Sequence, residues 1–379
     1  MASGPLDGLR ILEIAGIGPG PFCGMMLADH GAEVIRIDRP GGIRGGVQID
    51  RATDVLARSR RSLVLDLKTP AGVDTLLRLS ETADGLIEGF RPGVMERLGL
   101  GPEEIRARNR RLVYGRMTGW GQEGSYAASA GHDINYTALV GALSAFGRAG
   151  ALPTPPANLI GDFAGGGMML AFGMVCALHH ARISGEGQVV DCAMIDGASL
   201  LMSFLWSLRA QGAWSDERGS NELDTGAPYY DVYACADGGL ISIGAIEPQF
   251  YAELRTRLGL ATDPDFDARD QRDRWPGLKA KLTALFLSRT RGEWCRVLEH
   301  TDACFAPVLS LAEAPAHPHL AARGAFIEIG GVLQPAPAPR YSATPVATPR
   351  PPPTAGADSE ALLAELAQRA GPTQVGAEP

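Results

Sequence analysis

The chain is short of lysine: only Lys68, Lys279 and Lys281 occur in 379 residues, and acidic side chains outnumber Lys and Arg 43 to 35, a formal net charge of −8. Nucleic-acid surfaces need clustered positive charge, so that partner is excluded and any anion site has to be local. Cys23, Cys176, Cys192, Cys235, Cys295 and Cys304 form no C-x-x-C pair and sit in apolar segments, as reduced intracellular thiols do. "MASGPLDGLRILEIAG" lacks the basic stretch and long apolar run of a leader, "GMMLAFGMVCALHHA" reads as too short to span a bilayer before its histidines, and "VGAEP" is no peroxisomal tripeptide. The expectation is a cytoplasmic protein with no membrane partner. No G-x-S-x-G elbow and no P-loop occur. No metal site is expected either: His179 and His180 are adjacent, so they point different ways on a helix, and His317 and His319 have no ligand cluster nearby.

What is present is a chain of about 45% hydrophobic residues, long enough for one large core or two smaller ones. "LRILEIA" and "AEVIRID" have the aliphatic density of buried strands, and "PFCGMMLADHG" between them reads as a helix closed by Gly31. "RSLVLDL" and "DGLIEGF" repeat the strand texture around a helix that Thr69 can cap and Pro70 can open. "RLVYGRMTGWG" is a further strand. Such alternation predicts a parallel sheet flanked by helices. An apolar helix follows Asp162, and "GQVVDCAMIDGASLLMSFLWSLRA" reads as a strand and a long helix. A hairpin signal at Ala236 to Gly239 then opens a smaller α+β lobe. The tail from about Pro335 is dense in proline, expected to be extended and partly mobile until "DSEALLAELAQRA", a short amphipathic helix.

Several residues invite chemistry. "GIGPGP" with Asp38 downstream suggests a dinucleotide fingerprint, but the third glycine slot is Pro21, and two prolines remove N–H donors that a pyrophosphate needs. His132 in "AGHDINY" is a turn histidine or an acid–base group. Asp162, ahead of Gly165, Gly166 and Gly167, reads as a helix N-cap that is also free to meet a ligand. Glu247 in "GAIEPQF" is an exposed acid at a helix start or a functional carboxylate. Arg39, Lys68, Arg91 and Arg97 follow predicted strand ends or lie in a nearby loop, where solvated surface charge is the default.

"LEIAGIGPGPFCGMMLADHGAEVIRIDRP", "LDLK", "GFRPGVMERLGLGPE", "YGRMTGWGQEG", "AGHDINY", "NLIGDFAGGG", "GQVVDCAMIDG" and "GAIEPQFY", in this order, resemble the alpha-methylacyl-CoA racemase branch of the family III CoA-transferase superfamily. The resemblance extends to about residue 345. It implies an α/β fold with a large Rossmann-like domain, 1–195 and 325–379, and a smaller α+β domain, 225–307, joined by linkers 196–224 and 308–324. It also implies an interlocked homodimer. Catalysis falls on His132 and Asp162, with Glu247 as the histidine's partner. The CoA contacts fall on Arg39, on Leu65, Asp66, Leu67 and Lys68, on Gly89, Phe90 and Arg91, on Arg97, and on Gly131, Asp133, Ile134, Asn135 and Tyr136. Leu65 is larger than that pattern leads one to expect. No cofactor is implied beyond the CoA carried by the substrate.

The implied reaction inverts the alpha carbon of a 2-methylacyl-CoA: one group removes the proton and another delivers one to the opposite face of a planar enolate. The backbone N–H of Asp133 is a candidate donor to the enolate oxygen. Two other functions compete. In CoA transfer, Asp162 attacks the thioester to give a mixed anhydride, and no base is needed where His132 stands. A catalytically silent acyl-CoA-binding protein would keep the fold without needing these polar groups.

Overall fold

The computed structural model describes residues 4–42, 47 and 49–369; "VGAEP" and the first three residues lie outside them. The chain divides into two compact units: Met1–Val140 with Ala157–Leu201 and Phe326–Pro379, and Gly141–Pro156 with Met202–Ala325.

The first unit is built on six parallel strands, β1 (Arg10–Ile14), β2 (Glu33–Asp38), β3 (Arg61–Val64), β4 (Gly85–Glu88), β5 (Val113–Thr118) and β6 (Val189–Ala193), in the order β3-β2-β1-β4-β5-β6. The order reverses between β1 and β4, which opens a crevice beyond their carboxyl ends, the usual ligand position in such sheets. Helices α1 (Pro19–Asp29), α2 (Pro70–Ser80), α3 (Val94–Arg97), α4 (Pro102–Arg108), α5 (Asp133–Leu139), α6 (Met169–Ser184) and α7 (Met194–Leu201) connect or cover the strands. Thr69 caps α2 through its side chain, and Pro70 is the first residue of that helix.

Successive strand residues feed two cores because both faces of the sheet are covered. Ile11, Val34 and Val113 pack with Leu27 of α1 and Leu170 and Met174 of α6. Leu12, Ile35, Leu63 and Leu86 pack on the other side with Leu76 of α2 and Ile105 of α4. Buried charges interrupt this pattern, Glu13 on β1, Arg36 and Asp38 on β2, Glu88 on β4 and Arg116 on β5 among them; Glu13, fully buried, is held by Arg36 at 3.1 Å and Arg60 at 2.9 Å. An unpaired carboxylate there would be costly, so the two guanidiniums are part of the core.

Two local readings change. Asp162 is not an N-cap: a π-helix runs from Leu159 to Met168 and continues directly into α6. The helical run Leu159–Ser184 is therefore 26 residues, long and apolar enough by length and composition to cross a bilayer, which corrects its reading as too short. Its inward residues, Leu170, Met174, Ala177 and Ala181, belong to the core under the sheet.

The second unit contains α8 (Ser203–Ala210), then β7 (Tyr230–Ala234) and β8 (Leu240–Gly244) as the hairpin signalled at Ala236–Gly239. The long helix expected from "AMIDGASLLMSFLWSLRA" is thus two helices broken at Met202, and α8 falls in a stretch read as linker. The unit continues through α9 (Pro248–Leu258), α10 (Trp275–Phe286), α11 (Arg291–Leu298), β9 (Phe305–Val308), which completes a three-stranded antiparallel sheet, and α12 (Pro318–Ala322). Tyr233, Ile241, Ile243, Trp275, Phe286 and Trp294 form its core. The segment 141–156 is tied to it by Arg148, whose guanidinium meets the buried Asp231 of β7 at 2.7 Å.

The chain returns to the first unit with the hairpin β10 (Phe326–Ile329) and β11 (Val332–Pro335), and ends its described part in α13 (Ser359–Arg369). The proline-rich stretch between them is extended, as expected, but anchored. Arg350 exchanges hydrogen bonds with Ser59, Arg51 donates to the Pro353 carbonyl, and Ser62 donates through its backbone to Asp358.

Candidate active site

The candidate residues of the first unit gather past the carboxyl ends of its strands. β2 ends at Asp38, so Arg39 emerges exposed at the rim. Asp38 itself is buried and committed. Burial pushes its pKa up, but hydrogen bonds from Arg51 and Ser62 and the charge of Arg36 outweigh that and hold it below the usual carboxylate range. It is therefore not a ribose acid; it braces the strand end beside Arg39. β3 runs into Leu65–Lys68, where the Asp66 side chain accepts from the Lys68 N–H and turns the chain toward α2. Leu65 is a core residue, so its size is absorbed inside the unit; Asp66 and Lys68 are the exposed members of this set. β4 leads to Gly89, half-buried Phe90 and exposed Arg91, with Arg97 exposed at the end of α3.

Beyond β5 the chain reaches Gly131 and His132. Gly131 is required by contact: a Cβ there would lie 2.7 Å from the Tyr136 ring and 2.8 Å from Trp120. His132 precedes α5 in extended conformation (φ −133°, ψ 173°), its N–H bound to Asn135 Oδ1 at 3.0 Å, and its side chain is exposed. Asp133, the first residue of α5, is buried, as is Tyr136, while Ile134 and Asn135 face outward.

The π-helix brings Asp162 to the same place. The Asp133 carboxylate accepts the backbone N–H groups of Gly161 (2.6 Å) and of Asp162 (2.8 Å), so the start of α5 and the start of the π-helix are joined. Asp162 is half-buried, and Asn158 donates to its Oδ2 at 3.2 Å. Burial raises the Asp162 pKa, the neighbouring Asp133 charge adds to this, and the Asn158 hydrogen bond and His132 oppose it. Tyr136 is pushed up to about 12, by burial first and then by the negative charge of Asp162, with Arg91 acting the other way. His132, Asp133, Tyr136, Asp162 and Arg91 thus share one electrostatic neighbourhood. An imidazole and a carboxyl whose pKa is raised can exchange protons with a bound substrate.

Two contributors escaped the sequence reading. Asn158 is one. The other is Gly18, whose backbone (φ 67°, ψ −119°) is open to glycine alone and whose missing Cβ would come within 3.3 Å of Asp162 Oδ2. The signal was "GIGPGP", which looked like a failed phosphate loop and instead leaves room beside a carboxylate. Glu247 belongs to the second unit, exposed immediately before α9, with Pro248 at the first helical position. Among the described residues there is no group of three or more His, Cys, Asp or Glu side chains placed to hold a metal.

The sequence pattern of CoA-transferase family III matches residues 6–359. The chain belongs to this family. A family member named alpha-methylacyl-CoA racemase from Mus musculus is 48% identical over 341 residues, covering 90% of this chain and 87% of the relative; the Homo sapiens protein of the same name is 47% identical over the same length and shares. Succinyl-CoA–D-citramalate CoA-transferase from Chloroflexus aurantiacus is 33% identical over 360 residues, covering 90% of this chain and 89% of that one. Among solved structures, a CAIB/BAIF family protein from Brucella suis superposes with a TM-score of 0.81 at 26% identity, covering 96% of this chain and all of that one.

Proposed function

We propose that the protein racemises 2-methylacyl-CoA thioesters at the alpha carbon, with His132 and Asp162 as the two acid–base groups. The observation that carries this reading is the junction of α5 with the π-helix, which gathers an exposed imidazole and a half-buried carboxyl around one position. The two relatives named as racemases, at 47–48% identity, support it. One group takes the alpha proton, the C–H electron pair moves into the carbonyl to give an enolate, and the other group returns a proton to the opposite face. The elevated pKa of Asp162 suits both halves, since such a carboxyl gives and takes a proton closer to neutral pH than an ordinary aspartate. The Asp133 N–H, at the first helical position where an α-helix offers it no partner, serves the enolate oxygen.

Arg39, Lys68, Arg91 and Arg97 hold the CoA phosphates at the strand ends, and the neighbouring backbone of Leu65–Lys68, Gly89–Arg91 and Gly131–Tyr136 shapes the channel. This charge cluster is the local anion site that an acidic chain needs. Distant binding of this kind positions the reacting carbon. By the family resemblance, Glu247 fixes the imidazole tautomer. The proposal needs no cofactor beyond the CoA of the substrate. It includes pairing with a second copy in an interlocked homodimer, for which the exposed Phe172 and Ile183 of α6 offer apolar surface.

CoA transfer is the second reading, favoured by the 33% identical transferase and by Asp162 as a nucleophile. Incubation of a 2-methylacyl-CoA in heavy water, with and without an acceptor acid, separates the two. Deuterium at the alpha carbon and loss of optical activity without acceptor are expected; thioester exchange that requires the acceptor would replace racemisation with transfer. His132→Ala and Asp162→Ala are each expected to abolish the exchange, and an undiminished rate in either removes that residue's role.

A further inference from the structure

We propose that the Asp133 side chain is a positioning group that sets the separation of the two acid–base residues, a role distinct from that of its backbone N–H and one that rests on the racemase reading. Asp133 directly follows His132, so a shift of this carboxylate moves the imidazole's backbone with it. Its Oδ2 is the shared acceptor for the N–H groups of Gly161 and Asp162, at 2.6 and 2.8 Å. Those two N–H groups lie in the first turn of the π-helix, where the helix supplies no acceptor of its own. One carboxylate therefore holds both halves of the site: covalently on the His132 side, by two charge-assisted hydrogen bonds on the Asp162 side.

The surroundings make the clamp stiff. Asp133 is buried, with 5% of its surface exposed, and its other oxygen, Oδ1, has no hydrogen-bond partner among the described residues. A buried carboxylate oxygen without a partner is costly, and that cost is offset on the other oxygen, which satisfies two backbone N–H groups that would otherwise lack an acceptor. Gly161 is tied to the same contact: a Cβ at 161 would sit 2.7 Å from Asp133 Oδ2. The absence of a side chain at 161 is what lets the carboxylate reach the backbone.

The charge of Asp133 also acts on Asp162. The groups facing Asp162 are Asp133 of α5, His132 just before α5 and Asn158 just before the π-helix, with the Gly18 backbone alongside and Tyr136 nearby. Of the charged groups, Asp133 pushes toward the protonated form and His132 against it. Asp133 thus bears on both the position and the proton affinity of Asp162, with burial the larger cause of the raised pKa.

The test compares Asp133→Ala and Asp133→Asn with the wild type in three measurements: alpha-proton exchange kinetics, the pH profile of kcat, and amide hydrogen exchange at Gly161 and Asp162. For Asp133→Ala we expect kcat to fall about 100-fold with KM changed less than about threefold, because positioning is lost and CoA binding is not. Amide protection at Gly161 and Asp162 is expected to drop. Asp133→Asn keeps an acceptor oxygen but not the charge, so most of kcat should return, with the acidic limb of its profile moved to lower pH. The proposal is overturned if Asp133→Ala keeps kcat within about threefold of wild type, or if KM rises as far as kcat falls. Should the alanine variant fail to fold, amide exchange in the asparagine variant decides: a neutral carbonyl then replaces the charge-assisted acceptor, so protection at Gly161 and Asp162 should fall, and wild-type protection there overturns the proposal. If the wild type itself exchanges no alpha proton, the racemase reading fails, and amide protection alone then decides whether the clamp exists.

Discussion

Asp162 occupies an environment that costs the fold something. Its pKa is raised because burial and the Asp133 charge disfavour the anion more than the Asn158 hydrogen bond and His132 favour it. An acid whose folded pKa lies above its unfolded value of about 3.9 binds more protons when folded, so stability falls as pH rises from that value through the folded pKa. The loss is complete only above the folded pKa. Asp162→Asn keeps the shape and an acceptor for Asn158 but cannot ionise, so it should melt at a higher temperature than the wild type at pH 7 while having no exchange activity. The gain should shrink on acidification and vanish below about pH 4, where the wild-type group is protonated in both states. Thermal melts of the two proteins across that range check it, and an equal melting temperature at all pH values would mean that the site stores no such cost.

The π-helix is the element on which the site depends, and its placement is a matter of glycines. A Cβ at Gly197 of α7 would lie 1.9 Å from the Gly165 carbonyl oxygen, and one at Gly167 would lie 2.7 Å from the Pro19 carbonyl oxygen. Because these neighbours are backbone atoms, no rotamer change relieves the clash, and the elements must move apart. Gly197→Ala should therefore cost about 1–3 kcal/mol and, with Gly165 three residues from Asp162, should lower the exchange rate beyond what lost stability explains. Gly277→Ala is the control: in α10, with nothing within 4 Å of the added methyl, it should stabilise by about 0.5–1 kcal/mol. Denaturant titration and exchange assays measure both. These contacts also mark what could be read from the residues alone. The parallel strands were legible because both faces are buried, so adjacent aliphatic residues, Ile11 and Leu12 in "RILEI" and Val34 and Ile35 in "EVIRID", stand where a half-exposed strand would alternate with polar ones. The π-helix was not legible, since ten residues of mixed glycine and apolar character do not distinguish an i→i+5 ladder from a capped α-helix. Gly165 and Gly197 answer to each other across the fold, and no local pattern records that.

At the scale of the whole chain, the first unit is closed by residues that arrive last. Arg10 and Arg61 share Glu365 of α13, and Arg51 joins the Pro353 carbonyl to Asp38. Prolines lack the N–H that a sheet ladder needs, so the segment before α13 cannot add a strand. It is instead fastened at separate points, by carbonyl groups, a few free N–H groups and side chains. Composition suggested mobility because it reports what the segment cannot do with itself, not what strands 300 residues earlier do with it. Leu362 and Leu366 then complete the core over Leu12, Ile35 and Leu63. Leu362→Ala should cost about 2–5 kcal/mol, as truncation of a fully buried leucine does. Leu363→Ala, 43% exposed on the same helix, should stay within about 0.5 kcal/mol of wild type. The comparison isolates docking from helix propensity, because both substitutions place the same residue in the same helix. Equal melting temperatures for the two variants would mean that α13 decorates the unit, whereas a loss confined to Leu362→Ala makes the carboxyl-terminal return part of the sheet that carries Arg39, Lys68 and Arg91.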